Sequence, residues 1–357
     1  MIETKKIVIA MSGGIDSSVA AALLVKEGHD VIGMMLRLWS EDGRASDNRC
    51  CTPESMALAR RVAAKLSIPF YVVDAQDIFY NTVVNYFVNG YAQGITPNPC
   101  LVCNRLIRWE FLFNHAQALG AQLFATGHYA KVIPTDENKF KLLRAVDLSK
   151  DQSYVLHILN QNHLSQSIFP LGDYTKDQIR LLAKEFKLPV ADRRESQDLC
   201  FLAGEDYRLF LIRHARQVIK PGPIKSTNGQ ILGEHQGLAF YTIGQRKGLG
   251  ITFPIPLYVV SKDIFNNTLI VGCKDELDLD KLYVNNVNWI SGEAPTTIFR
   301  AQIKIRYRAN DVWGEVNPTS QNTAHITLGQ AGLDITPGQA AVFYQGQECL
   351  GGGIIQS

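Results

Sequence analysis

The chain predicts an α/β N-terminal domain with a parallel sheet, then a small mixed α/β central domain and a C-terminal β-barrel. Three observations predict it. Over the first two hundred residues, apolar strand-like runs alternate with helical stretches. A Pro-Gly-Pro break follows at residues 221–223. Beyond it, short alternating runs and Gly/Pro turns replace the helices.

The runs KIVIAM, DVIGMML, IPFYVVD and AQLFATG predict four strands. They are apolar on both faces, as strands of a parallel sheet covered by helices must be. Residues 53–65 and 104–119 predict helices between them, and 176–186 and 206–218 predict two more. Later, RAQIKIRYR places Ala301, Ile303, Ile305 and Tyr307 on one strand face. Gln302, Lys304, Arg306 and Arg308 fall on the other. The segment AAVFYQGQECLGGGII predicts two strands and a glycine-rich bend. The expected domains span 1–205, 206–276 and 277–357.

The composition of the 357 residues, 46% apolar and 20% charged, is that of a soluble globular protein. No run reaches the apolar length of a membrane span, and MIETKKIVIA enters a strand with no signal-peptide pattern. A cytoplasmic protein without a membrane partner is expected. Seven cysteines, an odd number, do not read as a disulfide framework. From Asp206 to Lys274 nine basic residues face three acidic ones, a surplus of six where the whole chain carries +2. That asymmetry fits either a polyanionic partner or a solvated basic surface.

The stretch VIAMSGGIDSSVAAAL runs from strand through two glycines into a helix. It lacks the lysine of G-x-x-x-x-G-K-[ST], and its adjacent glycines do not match G-x-G-x-x-G. The motif S-G-G-x-D-S-S, Ser12 to Ser18, resembles the pyrophosphate (PP) loop of the ATP pyrophosphatases, which split ATP into AMP and pyrophosphate. Gly13 and Gly14 let the backbone approach phosphates, and Ser12, Ser17 and backbone amides can donate to oxygens. Asp16 cannot donate, so its expected task is to hold Mg²⁺ against them. The competing reading is a strand–turn–helix with a Ser/Asp N-cap.

TPNPCLVCNR sets Cys100 and Cys103 in a loop opened by Pro97 and Pro99, just before a helix whose dipole would stabilise a thiolate at its N-terminus. Cys200, in ESQDLCFLAG, is a third candidate. Cys50 and Cys51 read as structural, and Cys273 and Cys349 as packing. By itself C-x-x-C is half a zinc site, a dithiol pair or an accident.

The segments AMSGGIDSS, DNRCCTPES, ITPNPCLVCNR, ATGHYA, KDQSYVL, SQDLCF, YTIGQRKGLG and KIRYRA, in this order over nearly the whole chain, carry a resemblance to the tRNA-specific 2-thiouridylase (MnmA) family. The resemblance implies ATP-dependent replacement of the C2 oxygen of a tRNA wobble uridine by sulfur. It implies that Ala10, Met11, Ser12, Gly13, Gly14, Ile15, Asp16 and Ser17 bind ATP, with Leu36 and Gly127 nearby. Cys103 is the implied nucleophile, and Cys200 receives sulfur as a persulfide from a donor protein. Asn98, Pro99 and Cys100 would surround the base. His128, Lys150, Asp151, Gln152, Arg306, Tyr307 and Gln345 would contact tRNA. Some members carry Asp where this chain has Cys100. With Cys103 and Cys200, that residue could instead complete three thiolates for an iron–sulfur cluster.

The implied chemistry adenylates the C2 oxygen so that AMP departs. A Cys200 persulfide then attacks C2, and Cys103 resolves the S–S bond as a Cys103–Cys200 disulfide. In a variant, Cys103 releases sulfide first. Alternative readings are an amide- or lysidine-forming ATP pyrophosphatase, which gives the thiols no task, and a non-enzymatic RNA-binding protein with a Cys-bound metal.

Overall fold

The first apolar run becomes the middle of a parallel sheet whose two faces are both covered. A computed structural model describes residues 3–41, 52–193, 199–202, 204–277, 280–329 and 335–356. Strands β1 (Lys6–Ala10), β2 (Asp30–Arg37), β3 (Phe70–Asp74) and β4 (Leu123–Thr126) precede a hairpin, β5 (Ala130–Pro134) and β6 (Phe140–Arg144). After β7 (Ser167–Ile168), the sheet is ordered β3-β2-β1-β4-β7 and is parallel throughout. Ile7 and Ile9 enter the core on one side, with helix α1 (Ile15–Lys26), while Val8 enters the core on the other. All three are fully buried, each contributing about 1.5–3 kcal/mol. This two-sided burial is why the run is apolar without alternation.

The second predicted helix is α2 (Pro53–Leu66), capped by the Thr52 side chain on the Ser55 amide and started by proline. The stretch predicted as one helix over 104–119 starts earlier and is less uniform. One α-turn, Pro99–Val102, widens to π-helical geometry over Cys103–Leu112 and returns to α over Phe113–Ala118. Such widening is frequent at functional sites. The helix expected over 206–218 is Tyr207–His214, ending at Ala215, with a 3₁₀ turn Arg216–Val218 after it.

The central unit carries β8 (Gly222–Ser226), β9 (Ile231–His235), β10 (Tyr258–Asp263) and β11 (Thr268–Gly272), ordered β10-β11-β8-β9. The C-terminal unit has β12 (Lys281–Trp289), β13 (Phe299–Lys304), β14 (Val312–Ser320), β15 (Thr323–Leu328), β16 (Ala340–Gln345) and β17 (Glu348–Ile355). Its order β12-β15-β14-β13-β16-β17 closes through β12–β17 into a six-stranded barrel. Ala301, Ile303, Val316, Ala324 and Phe343 fill the interior.

Two expectations are corrected here. Strand β13 ends at Lys304, yet Ile305 still enters the barrel core as expected; the alternation fails at Tyr307, which is 38% exposed rather than inward, and Arg306 and Arg308 lie beyond the strand. Gly351, Gly352 and Gly353 belong to β17 and not to a bend. A Cβ at Gly352 would meet the Ala341 carbonyl at 2.7 Å, so these glycines let neighbouring backbone in closely. The turn itself is at Gly346, φ +60°.

The N-terminal and C-terminal units share a sheet. Strand β17 pairs with β6, Glu348 opposite Leu143 and Cys349 opposite Leu142. Arg144 adds an ion pair to Asp311 at 2.5 Å and stacks on the Tyr344 ring at 3.6 Å. Next to this seam His157 is buried, one ring nitrogen on the Tyr154 carbonyl. Burial lowers its pKa from 6.5 to about 4. The unfolded chain therefore binds a proton that the folded chain refuses. Stability is full above about pH 6.5 and is lost as pH falls toward 4, by roughly 3 kcal/mol from this residue. Urea unfolding across that window is expected to show the slope, and His157→Gln to flatten it.

Candidate active site

In an open parallel sheet, ligands bind beyond the strand C-termini where strand order reverses. Here that point lies between β1 and β4, and both loops from it carry predicted residues. After β1 come Ala10, Met11, Ser12 and the glycine turn; after β4 comes Gly127. The two loops touch: a Cβ on Gly127 would lie 2.7 Å from the Ser17 amide nitrogen. Gly13 adopts φ +70°, and a Cβ there would strike the Ser55 carbonyl at 2.2 Å. Both positions need glycine for space, and Gly13 also for its dihedral.

Helix α1 begins at Ile15 with Gly14 at its N-cap and no side chain capping it. The Ser/Asp N-cap reading therefore does not describe this turn. Instead the Ser12 amide donates to the Ser17 hydroxyl at 3.1 Å, and the Ser18 hydroxyl donates to the Gly14 carbonyl at 2.7 Å. A twelve-residue helix with no side-chain cap directs its first amides at the mouth of the turn, a site suited to an anion. Leu36, near the end of β2, packs against two apolar clusters, one containing Val8 of β1 and the other Phe79 and Phe87.

Asp16 is held from two directions. Lys176 donates to both carboxylate oxygens, at 2.6 and 2.8 Å, and the Tyr129 hydroxyl donates at 2.8 Å. Mg²⁺ carried on a triphosphate asks for one or two protein carboxylates, so Asp16 fits as that ligand, in exchange with the lysine ammonium. A second cation closes the turn: Arg193 donates to the Gly13 carbonyl at 2.5 Å and to the Ser55 hydroxyl at 2.6 Å. Sequence reasoning missed Lys176 and Arg193. Lys176 had a signal, since it follows the N-cap Thr175 of a Thr175–Gln178 capping box and takes the first helical position. A cation there opposes the helix dipole, so a compensating partner should have been sought. Arg193 left no such mark.

Cys100 is exposed, Cys103 and Cys200 are half-buried, and Cys349 is buried; Cys50 and Cys51 lie outside the described residues. Burial pushes the Cys349 thiol far up, consistent with packing. Cys103 and Cys200 border the same apolar cluster, which contains Phe79, Phe87, Phe201 and Phe210. Phe201, next to Cys200, meets Phe87 at 5.1 Å and Phe210 at 5.4 Å, edge to face. An aromatic anchor thus ties the Cys200 end to the helices Asn85–Ala92 and Tyr207–His214, inside the cluster that Cys103 also borders. The three-thiolate set for an iron–sulfur cluster is not formed: among the described residues no three Cys, His, Asp or Glu side chains group to hold a metal. Cys100 stands exposed beside Tyr307, while the other two pack against the cluster.

Asn98 and Pro99 open the helical run that carries Cys100 and Cys103. Burial raises the pKa of Tyr307, with added repulsion from Asp151 and Cys100, so this C-terminal phenol lies at the same mouth as Cys100. The residues read as tRNA contacts divide. Gln345 and Tyr307 are exposed, and Lys150 is half-buried. His128 is 6% exposed, with one ring nitrogen 2.8 Å from the Thr126 hydroxyl. Asp151 is buried and accepts from the Ala145 amide and the Ser153 hydroxyl. Gln152 exchanges two hydrogen bonds with the Tyr129 backbone, bracing the residue that holds Asp16. Arg306 donates to the Thr336 hydroxyl. In the free protein His128, Asp151 and Gln152 act as internal braces.

This fold and site define a parallel α/β domain with an anion-binding turn, joined to a four-stranded central unit and a six-stranded barrel. Residues 5–204 match a family profile described as a tRNA methyl transferase HUP domain. Residues 208–273 match a tRNA methyl transferase PRC-barrel domain, and 279–355 an aminomethyltransferase beta-barrel domain. The tRNA-specific 2-thiouridylase MnmA of Chloroflexus aurantiacus is 44% identical over 350 residues, covering 98% of both chains. That of Moorella thermoacetica is 45% identical over 353 residues, covering 98% of this chain and 99% of its own. The chain belongs to the tRNA-specific 2-thiouridylase (MnmA) family.

Proposed function

We propose that this chain is an ATP-dependent tRNA-uridine 2-sulfurtransferase acting on the wobble uridine. One observation carries the reading: the two thiols border a single cluster that Leu36 joins to the nucleotide end of the sheet. The glycine turn and the free amides of α1 bind the ATP phosphates, with Lys176 and Arg193 supplying positive charge. Mg²⁺ held by Asp16 neutralises the phosphates when bound. The C2 oxygen of uridine attacks the α-phosphate, pyrophosphate leaves, and the oxygen becomes part of an AMP leaving group. The outer sulfur of a Cys200 persulfide attacks C2 and expels AMP. The Cys103 thiolate then attacks Cys200 Sγ, forming the Cys103–Cys200 disulfide and leaving sulfur on the uridine. A thiol reductant resets the pair, and a donor protein reloads Cys200.

Asn98, Pro99 and Cys100 receive the base, with Tyr307 across from them. The anticodon loop is single-stranded, so turning out its base costs little. An amide- or lysidine-forming enzyme would leave Cys103 and Cys200 without a task. Nucleosides from cells lacking this chain are expected to lose 2-thiouridine by mass spectrometry, and an unchanged level contradicts the proposal.

The basic central unit contributes phosphate contacts, with Arg246 and Lys247 exposed on its loop. For Arg246→Ala/Lys247→Ala, tRNA affinity is expected to fall. The slope of log affinity against log salt should shrink by roughly 1 per lost phosphate contact. Titrations at several salt concentrations check it.

A further inference from the structure

The loop leading into the cysteine helix is held by the C-terminal barrel. Both backbone groups of Thr96 are engaged by the turn ahead of β16. Its N–H donates to the Pro337 carbonyl at 2.9 Å, and its carbonyl accepts from Gln339 Nε2 at 2.8 Å. Gly338, between these partners, has φ +91°, and a Cβ there would lie 2.8 Å from the Thr96 oxygen. Any other residue would be strained and would push the loop away. The turn is itself braced, because the Gly338 amide donates to the Ile355 carbonyl at 2.9 Å. The Ile355 amide donates in return to the Gln339 carbonyl at 2.8 Å.

The same segment reaches the far side of the base-receiving mouth. The Ala340 carbonyl accepts from the fully buried Tyr154 hydroxyl at 3.0 Å, and the Asn98 side chain lies near enough to the same phenol to favour its ionised form. Residues 337–340 therefore grip the loop at Thr96 and the ring near Asn98, two residues further on. A loop fixed at both places loses little freedom when a nucleobase enters.

We infer that Gln339 and Gly338 are positioning residues for sulfur transfer: the barrel turn registers Asn98, Pro99 and Cys100 through the Thr96 peptide. This rests on the reading that the loop receives the target uridine. The barrel then acts on the rate of the chemistry and not only on RNA affinity.

The test compares Gln339→Ala and Gly338→Ala with the wild-type chain by amide hydrogen exchange without substrate, and by thiolation kinetics with tRNA, ATP and a persulfide donor. Gln339→Ala removes one hydrogen bond and leaves the fold intact, so it decides the matter should Gly338→Ala not fold. Exchange at residues 94–98 is expected to rise, and kcat to fall about fivefold, with KM for tRNA unchanged within about twofold. Unchanged exchange at 94–98 in Gln339→Ala overturns the inference. So does a rise in KM with kcat unchanged, which assigns the turn to RNA binding. Should the wild-type chain form no 2-thiouridine, the functional reading fails, and the exchange result alone decides whether the turn holds the loop.

Discussion

Replacing Cys103 with serine is expected to stop 2-thiouridine formation by at least about a thousandfold and to trap tRNA on the protein. With Cys200 persulfidated, the first attack on C2 can still proceed, since it uses the outer sulfur and the AMP leaving group. The product is then a Cys200–S–S–tRNA adduct that no thiol resolves, visible as a shifted band that a reductant abolishes. Cys200→Ser should stop thiolation equally but trap nothing. If Cys103 instead releases sulfide first, neither variant traps tRNA. Pyrophosphate release should continue in both variants, because the glycine turn is untouched. The half-buried setting of the two thiols on one cluster makes gross unfolding an unsuitable explanation, since serine replaces sulfur by a smaller atom.

Asp16→Asn is expected to lower tRNA-dependent pyrophosphate release by about a hundredfold or more. Two effects add. The variant loses the carboxylate that fits Mg²⁺, and it leaves the Lys176 ammonium, whose side chain is 9% exposed, facing a neutral amide. Removing one partner of a buried ion pair costs about 3–5 kcal/mol. Asp16 is 35% exposed and Asn still accepts a hydrogen bond, so a loss below that range is expected here. The double variant Asp16→Asn/Lys176→Met separates the effects: thermal stability should recover toward wild type, while pyrophosphate release should not. Recovery of activity with stability would assign the pair to folding alone.

What the sequence disclosed follows from how locally each feature is encoded. Strand β1, the glycine turn and the start of α1 are contiguous, so their order reveals the anion site directly. Lys176 and Arg193 reach that turn from 160 and 180 residues away, and no periodicity reports such closure. The seam between β6 and β17 was hidden for the same reason: strand pairing between units leaves no pattern within either strand. Tyr307 was misplaced because alternation continues in the letters after the backbone leaves the sheet at Lys304. His128, Asp151 and Gln152 also hydrogen-bond to the chain's own groups, and such internal partners could not be read from residue type. Cys103 and Cys200 stand out as candidates in the sequence and take their roles from the resemblance, while their shared cluster came only with the fold.

The account stands on one carbonyl carbon receiving both the ATP chemistry and the thiol sulfur. The most direct test uses tRNA whose target uridine carries ¹⁸O at C2, incubated with the protein, ATP and a persulfide donor, followed by mass spectrometry of the AMP produced. The account predicts that the label moves into the phosphate of AMP as 2-thiouridine forms, one for one. Unlabelled AMP accompanying 2-thiouridine would contradict it, because the departing oxygen would then never have been joined to the nucleotide.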